Sequence, residues 1–169
     1  VGGGDYKKLF HHFRVKVEDQ ALMLAWLVAA FVPMIPRPIL GLSGEKGSGK
    51  TSQVRKLRKL IDPSITETLR LSNDAGELVA ILDHHYVCNF DNLDGLRAWQ
   101  SDALCRACTG EGNEKRQLFT DDQAIIRRFR RVIVFNGINC AAARADLLDR
   151  CVMFELQRID PANRRAEED

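Results

Sequence analysis

The sequence predicts an α/β fold, a parallel sheet of five strands flanked by helices, with a β-hairpin inserted late in the chain. Three observations carry that reading. Short apolar runs alternate with longer helical stretches: Pro38–Ser43, Tyr86–Asp91, Val132–Asn136 and Cys151–Leu156 read as strands. These runs are apolar throughout rather than every second residue, as strands covered on both faces are. A glycine-rich loop, Gly44-Glu45-Lys46-Gly47-Ser48-Gly49-Lys50-Thr51, joins the first strand to the first core helix.

The chain has 169 residues, 45% of them apolar, which suits one well-cored domain. A net charge of +2 does not by itself argue for nucleic acid. There is no signal peptide, and the longest apolar run, Ala21–Val32, is shorter than the roughly 20 residues a bilayer requires. The 5 cysteines are an odd number and read as reduced thiols, so a cytoplasmic location is expected. Val1 at one end and the charged run Arg164–Asp169 at the other read as cuts in a longer protein.

In chain order, residues 1–17 read as a linker, with a flexible lead at Val1–Gly4 and a basic, aromatic, solvated stretch at Tyr6–Lys16. Residues 18–36 read as an N-terminal helix packing on the core. Glu18–Val32 is acidic at its start, apolar nearly all round and stopped by Pro33, so it should be buried, with Trp26 inside. Residues 37–157 form the core and 158–169 begin a further C-terminal region. The loop fits G-x-x-x-x-G-K-[ST], the phosphate-binding Walker A pattern. Its glycines let backbone N–H groups face an anion, Lys50 reaches β- and γ-phosphates, and Thr51 offers a hydroxyl to Mg²⁺. Residues 44–52, from Gly44 through Ser52, are therefore the expected ATP contacts. The helix Gln53–Ile61 adds its N-terminal partial charge.

Asp62-Pro63 stops that helix, and Glu67–Leu71 suggests a short second strand. Asp74 with Glu77 forms a capping pair for a helix Ala75–His84, ending in exposed His84-His85. Tyr86–Asp91 is a strand ending in an acid, the Walker B pattern, so Asp91 should hold Mg²⁺ opposite Thr51. Asn92 follows; it can orient water but cannot take its proton, which leaves Asp94 or Glu111 as the base. Leu93–Thr109 reads as helix, with Cys105 and Cys108 as small packed residues rather than a metal site. Glu114–Thr120 and the turn Asp121-Asp122 suggest the hairpin. Lys115, Arg116 and the run Arg127, Arg128, Phe129, Arg130, Arg131 suit a nucleic-acid backbone, or else a solvated or intersubunit face. Val132–Asn136 ends in a polar residue, with Asn139 as an alternative. Ala143–Leu148 is a short helix, and Arg150 precedes the last strand.

The order of these parts resembles the RecA-like core of AAA+ and superfamily 3 helicases, which implies strand order 5-1-4-3-2, Asn136 as the water-orienting sensor, and a ring. GEKGSGKT (44–51), NFDNLDGL (89–96), SDALCRACTGEG (101–112), RQLFTDD (116–122), VIVFNGI (132–138) and RADLLDRCV (144–152) together resemble ATP-binding proteins of bacterial prophages and integrative elements, taken to be replication helicase or primase-helicase ATPases. The similarity runs from about Leu22 to Leu156. Leu147–Arg150 also resembles the arginine-finger segment of minichromosome-maintenance helicases, and the hairpin resembles their DNA-contacting pre-sensor hairpin. The resemblance implies a mobile-element DNA helicase ATPase using ATP and Mg²⁺, with Arg150 acting on a neighbour's nucleotide. Two departures stand out: Asn92 replaces an acid, and no helical lid follows the last strand. A AAA+ ATPase acting on protein clients or in regulation, a P-loop small-molecule kinase, and a nucleotide-binding scaffold with decayed hydrolysis are the alternatives.

Overall fold

The computed structural model describes residues 4–93, 95–110, 113–116, 124–127, 130–137 and 145–158. Four strands form the main sheet: β1 (Ile39–Ser43), β2 (Val87–Phe90), β5 (Val132–Gly137) and β6 (Cys151–Glu155). Their order is β2-β5-β1-β6 and every neighbouring pair is parallel. A separate antiparallel pair, β3 (Asn113–Arg116) with β4 (Ala124–Arg127), makes the hairpin. The helices are α1 (Gln20–Ala30), α2 (Lys50–Ile61), α3 (Ala75–His84), α4 (Ala98–Thr109) and α5 (Ala145–Leu148).

Among the described residues the expected fifth strand is absent: the sheet has 4 strands. The stretch read as strand Glu67–Leu71 contributes one parallel bridge, Leu69 to Phe90, at the outer side of β2, where that strand was placed. Both ends of the segment are tied elsewhere. The Glu67 carboxylate pairs with Arg55 and Lys59 on α2, at 3.5 and 2.9 Å. The Ser72 hydroxyl accepts from Asp74 N–H (3.0 Å) and donates to Glu77 at the start of α3. Only Leu69 remains to pair, through Leu69 N–H to Asn89 O and Asp91 N–H to Leu69 O. The remaining strands keep the expected relative order.

Alternation along each strand sends residues to two cores. Ile39, Cys88, Phe90, Ile133 and Phe135 face α3, α4 and α5, with Leu78, Leu82, Leu104 and Leu147. Leu40, Leu42, Val87, Val132, Val134 and Phe154 face α1 and α2, with Trp26, Leu27, Val54 and Leu57. Both faces are covered, which is why the strands read as unbroken apolar runs.

The N-terminal stretch departs from the linker reading. Phe13 is 3% exposed and joins the second core, with Leu9, Phe10 and Val15 partly buried around it. Helix α1 is shorter than Glu18–Val32 and half covered: Met23, Trp26, Leu27 and Ala30 are buried, while Leu22, Val28 and Phe31 are exposed. Trp26 Nε1 donates to Pro38 O (2.8 Å), and the Tyr86 hydroxyl and Arg37 cap carbonyls at the α1 C-terminus. Helix α4 begins five residues later than expected; Leu93 and Arg97 lie in the preceding loop, where Arg97 N–H donates to Gln100 Oε1 (2.8 Å).

Candidate functional site

In a parallel sheet the loops leaving the strand C-termini converge on one end. Here the described segments after β1, β2 and β6 do so. Residues 44–49 leave β1, turn, and enter α2, whose N-cap is Gly49. Gly44, Gly47 and Gly49 have φ of 145°, 84° and 80°, conformations that L side chains seldom take. Gly44 has a second constraint: a Cβ there would lie 2.5 Å from the Leu156 carbonyl oxygen at the end of β6. Ser48 is buried, whereas Glu45, Lys46 and Gly47 are exposed at the mouth. The Lys50 ammonium folds over the loop and donates to Gly44 O (2.6 Å) and Glu45 O (2.8 Å). Ser52 continues α2, partly buried.

Thr51 Oγ1, on the first turn of α2, donates to Asp91 Oδ1 at 3.2 Å. Asp91 follows β2 directly and is half-buried. The next residue, Asn92, has φ of 57°, a left-handed conformation that asparagine tolerates better than most residues. Its N–H donates to Asn136 Oδ1 (2.8 Å), and Leu93 N–H donates to Asn136 O (2.8 Å). Asn136 is 2% exposed on β5, between β1 and β2, and its Nδ2 is buried without a hydrogen-bond partner. Asn136 thus clamps the turn that carries Asp91, a role invisible in sequence spacing. Beside Asp91 and Asn92 opens a cleft of about 710 Å³ whose lining includes Arg70, Asn73 and Arg97. Among the described residues lining it, Asp91 is the only acid.

The other sequence candidates lie elsewhere. Asp94, Glu111, Asn139 and Arg128 fall outside the described residues. Gly110, the C-cap of α4 beside Arg130, lies at the end of β5 away from the loop. Arg150 also lies at that far end: Ile39 N–H, at the start of β1, donates to Arg150 O (2.8 Å). Its guanidinium donates to Asp146 O (2.6 Å), completing the C-terminus of α5. Within one chain Arg150 is therefore a helix-end cation, separated from the loop by the length of β1, roughly 13 Å at about 3.3 Å per step.

The basic run is corrected in part. Arg130 donates to Thr109 O (3.0 Å) and Met34 O (2.5 Å), and Arg131 to Leu82 O (2.5 Å) and Asp83 O (2.9 Å). These guanidiniums fasten helix ends to β5 instead of forming an open basic strip. Lys115, Arg116 and Arg127 sit on the hairpin, where the register pairs Lys115 with Ile125, Arg116 with Ala124 and Asn113 with Arg127.

Among the described residues no group of three or more His, Cys, Asp or Glu could hold a metal, and no helix is long and apolar enough to cross a membrane. Asp91 and Thr51 place two side-chain oxygen donors together at the loop.

Fold and site together define a parallel α/β domain with a glycine-rich loop at the C-terminal end of its sheet. Over 83% of its length the chain superposes on the JCV helicase bound to a thiazolopyridinyl-phenoxyphenyl acetamide, with a TM-score of 0.58 and 16% identity, covering 42% of that chain. The apo C-terminal region of NrS-1 superposes at a TM-score of 0.55 and 15% identity, over 89% of this chain and 36% of that one. A second apo structure of that region, residues 305–718, gives 0.54 and 14%. The chain thus spans less than half the length of these solved structures, and at such identities the likeness is one of fold. The chain belongs to the actinomycete integrative conjugative element replication protein family, matched over residues 9–169. This agrees with the resemblance to integrative elements read from the motif string. No curated protein matches it.

Proposed function

We propose that this domain is the ATP-binding and ATP-hydrolysing core of a replicative DNA helicase or primase-helicase of an integrative element, working in the cytoplasm as a homo-oligomeric ring. The observation that carries the reading is the Thr51 hydroxyl 3.2 Å from the Asp91 carboxylate across the mouth of the glycine loop. A hydroxyl and a carboxylate are oxygen donors of the kind Mg²⁺ accepts alongside phosphates and water, so the residues present fit the ion. A bound Mg²⁺ would supply charge neutralisation at the terminal phosphates.

Each residue then has a role. N–H groups of residues 44–52 and the α2 N-terminus receive the phosphates. Lys50 exchanges the Gly44 and Glu45 carbonyls for β- and γ-phosphate oxygens. Asn136 holds Asn92 in place and presents Nδ2 to the attacking water. Asn92 orients that water but takes no proton, and among the described residues lining the cleft no second acid serves as base. Arg150 of a neighbouring subunit raises turnover by leaving its Asp146 bond. Lys115, Arg116 and Arg127 on the hairpin are the expected DNA contacts. Replacing Lys50 with Ala should abolish ATP binding while the fold persists; binding as tight as in the wild type would overturn the reading.

The cleft beside Asp91, with Arg70 and Arg97 in its wall, also suits a phosphoryl acceptor and favours a small-molecule kinase as the second reading. Phosphoryl transfer to a small acceptor by a monomer, without response to DNA, would establish it.

A further inference from the structure

The end of β6 lies against the glycine loop. Leu156 N–H donates to Ser43 O (2.8 Å), extending the β1–β6 pairing to the last residue before the loop. The Leu156 carbonyl then passes so close to Gly44 that no side chain fits there. The chain continues through Gln157 to Arg158, which lines a cleft of about 420 Å³ together with, among the described residues, Glu45, Lys46 and Gly47. Arg158 is exposed, and none of the acids among the described residues is paired with it.

Which end of a bound nucleotide would meet this cleft follows from Lys50. Its ammonium, the group that reaches β- and γ-phosphates in this motif, lies against the carbonyls of Gly44 and Glu45. Backbone N–H groups of the loop cradle the α- and β-phosphates in this motif. The 44–47 side of the loop is thus its terminal-phosphate side, and Arg158 shares that side. In the order β2-β5-β1-β6, Asp91 approaches from the β2 side and Arg158 from the opposite edge.

We infer that Arg158 is a nucleotide-binding residue that contacts the terminal phosphate of a bound nucleoside triphosphate, so that the loop distinguishes tri- from diphosphate in cis. The inference rests on the nucleotide reading of the loop above. A planar guanidinium with several donors suits a phosphate oxygen pair. The contact adds a positive charge on the flank opposite Asp91.

The test is equilibrium binding of a non-hydrolysable ATP analogue and of ADP, each with Mg²⁺, to the wild type, Arg158→Ala, Arg158→Lys and Lys50→Ala. Arg158→Ala should weaken the triphosphate analogue about tenfold and ADP less than about twofold, and Arg158→Lys should recover part of the loss. An analogue affinity equal to the wild type in Arg158→Ala, or an equal loss of analogue and ADP, overturns the inference and leaves the loop reading standing. A wild type that binds neither nucleotide, or a Lys50→Ala variant that binds both normally, overturns the loop reading and the inference with it.

Discussion

Asn92 has a backbone that most side chains resist, φ 57°, one residue beyond the candidate metal ligand. Asparagine and glycine accept that conformation, whereas a β-branched residue meets its own carbonyl there. Asn92→Gly should stay within about 0.5 kcal/mol of the wild type and Asn92→Val should lose about 1–2 kcal/mol, read by urea denaturation. This backbone gives a physical reason for finding asparagine where an acid was expected. The partner of that turn is Asn136, whose side-chain oxygen takes the Asn92 N–H. Asn136→Ala leaves that N–H without its acceptor and should lower stability by about 1–3 kcal/mol, a few degrees in Tm. His85 supplies a pH dependence. Burial, then the charge of Arg58, holds its imidazole below the usual value, against a weaker upward pull from Asp62. The unfolded chain therefore takes up the proton more readily than the folded one. The stability His85 contributes is present above about pH 6.5 and lost as pH falls through its lower folded value. Tm between pH 5 and 8 should fall on acidification, with a shallower slope in His85→Gln.

At the scale of elements, the parts with one dominant physical cause were legible in the sequence. Continuous apolar runs marked β1, β2, β5 and β6, because parallel strands covered on both faces leave no polar alternation to read. Asp74 and Glu77 marked the start of α3, where Glu77 N–H donates to Asp74 Oδ1 at 2.8 Å. The glycine loop between β1 and α2 was legible from spacing, and the loop and Asp91 meet in space. Elements decided by tertiary partners were not legible. Glu67–Leu71 had strand propensity but lost its ends to α2 and α3. Arg130 and Arg131 looked like a basic strip because sequence does not reveal that the carbonyls of Thr109, Leu82 and Asp83 would lie beside them. The N-terminal stretch looked solvated because basic residues and histidines are interspersed among its apolar ones, yet Phe13 joins the core shared by α1 and α2. Phe13→Ala should destabilise by about 3–5 kcal/mol, whereas Tyr6→Ala, at a site 58% exposed, should change stability by less than about 0.5 kcal/mol. Thermal melts of the two variants separate a docked segment from a linker.

The whole molecule places its candidate functions at opposite ends of one sheet. The loop, Asp91, Asn136 and Arg158 gather at the C-terminal ends of the strands, while the hairpin and Arg150 sit at or beyond the N-terminal ends of β5 and β6. One chain does not bring Arg150 to its own loop, so any catalytic use of that arginine requires a second copy. Mixing wild type with an Arg150→Ala variant should lower turnover per wild-type subunit as the variant fraction rises, because each variant neighbour removes a cation from a competent site. The most direct measurement is ATP hydrolysis by the protein across a range of concentrations, with and without single-stranded DNA. Turnover per subunit that rises with concentration, rises again with DNA and disappears in Lys50→Ala is the expected result. Turnover that is flat in concentration and indifferent to DNA would contradict a ring-forming replicative ATPase.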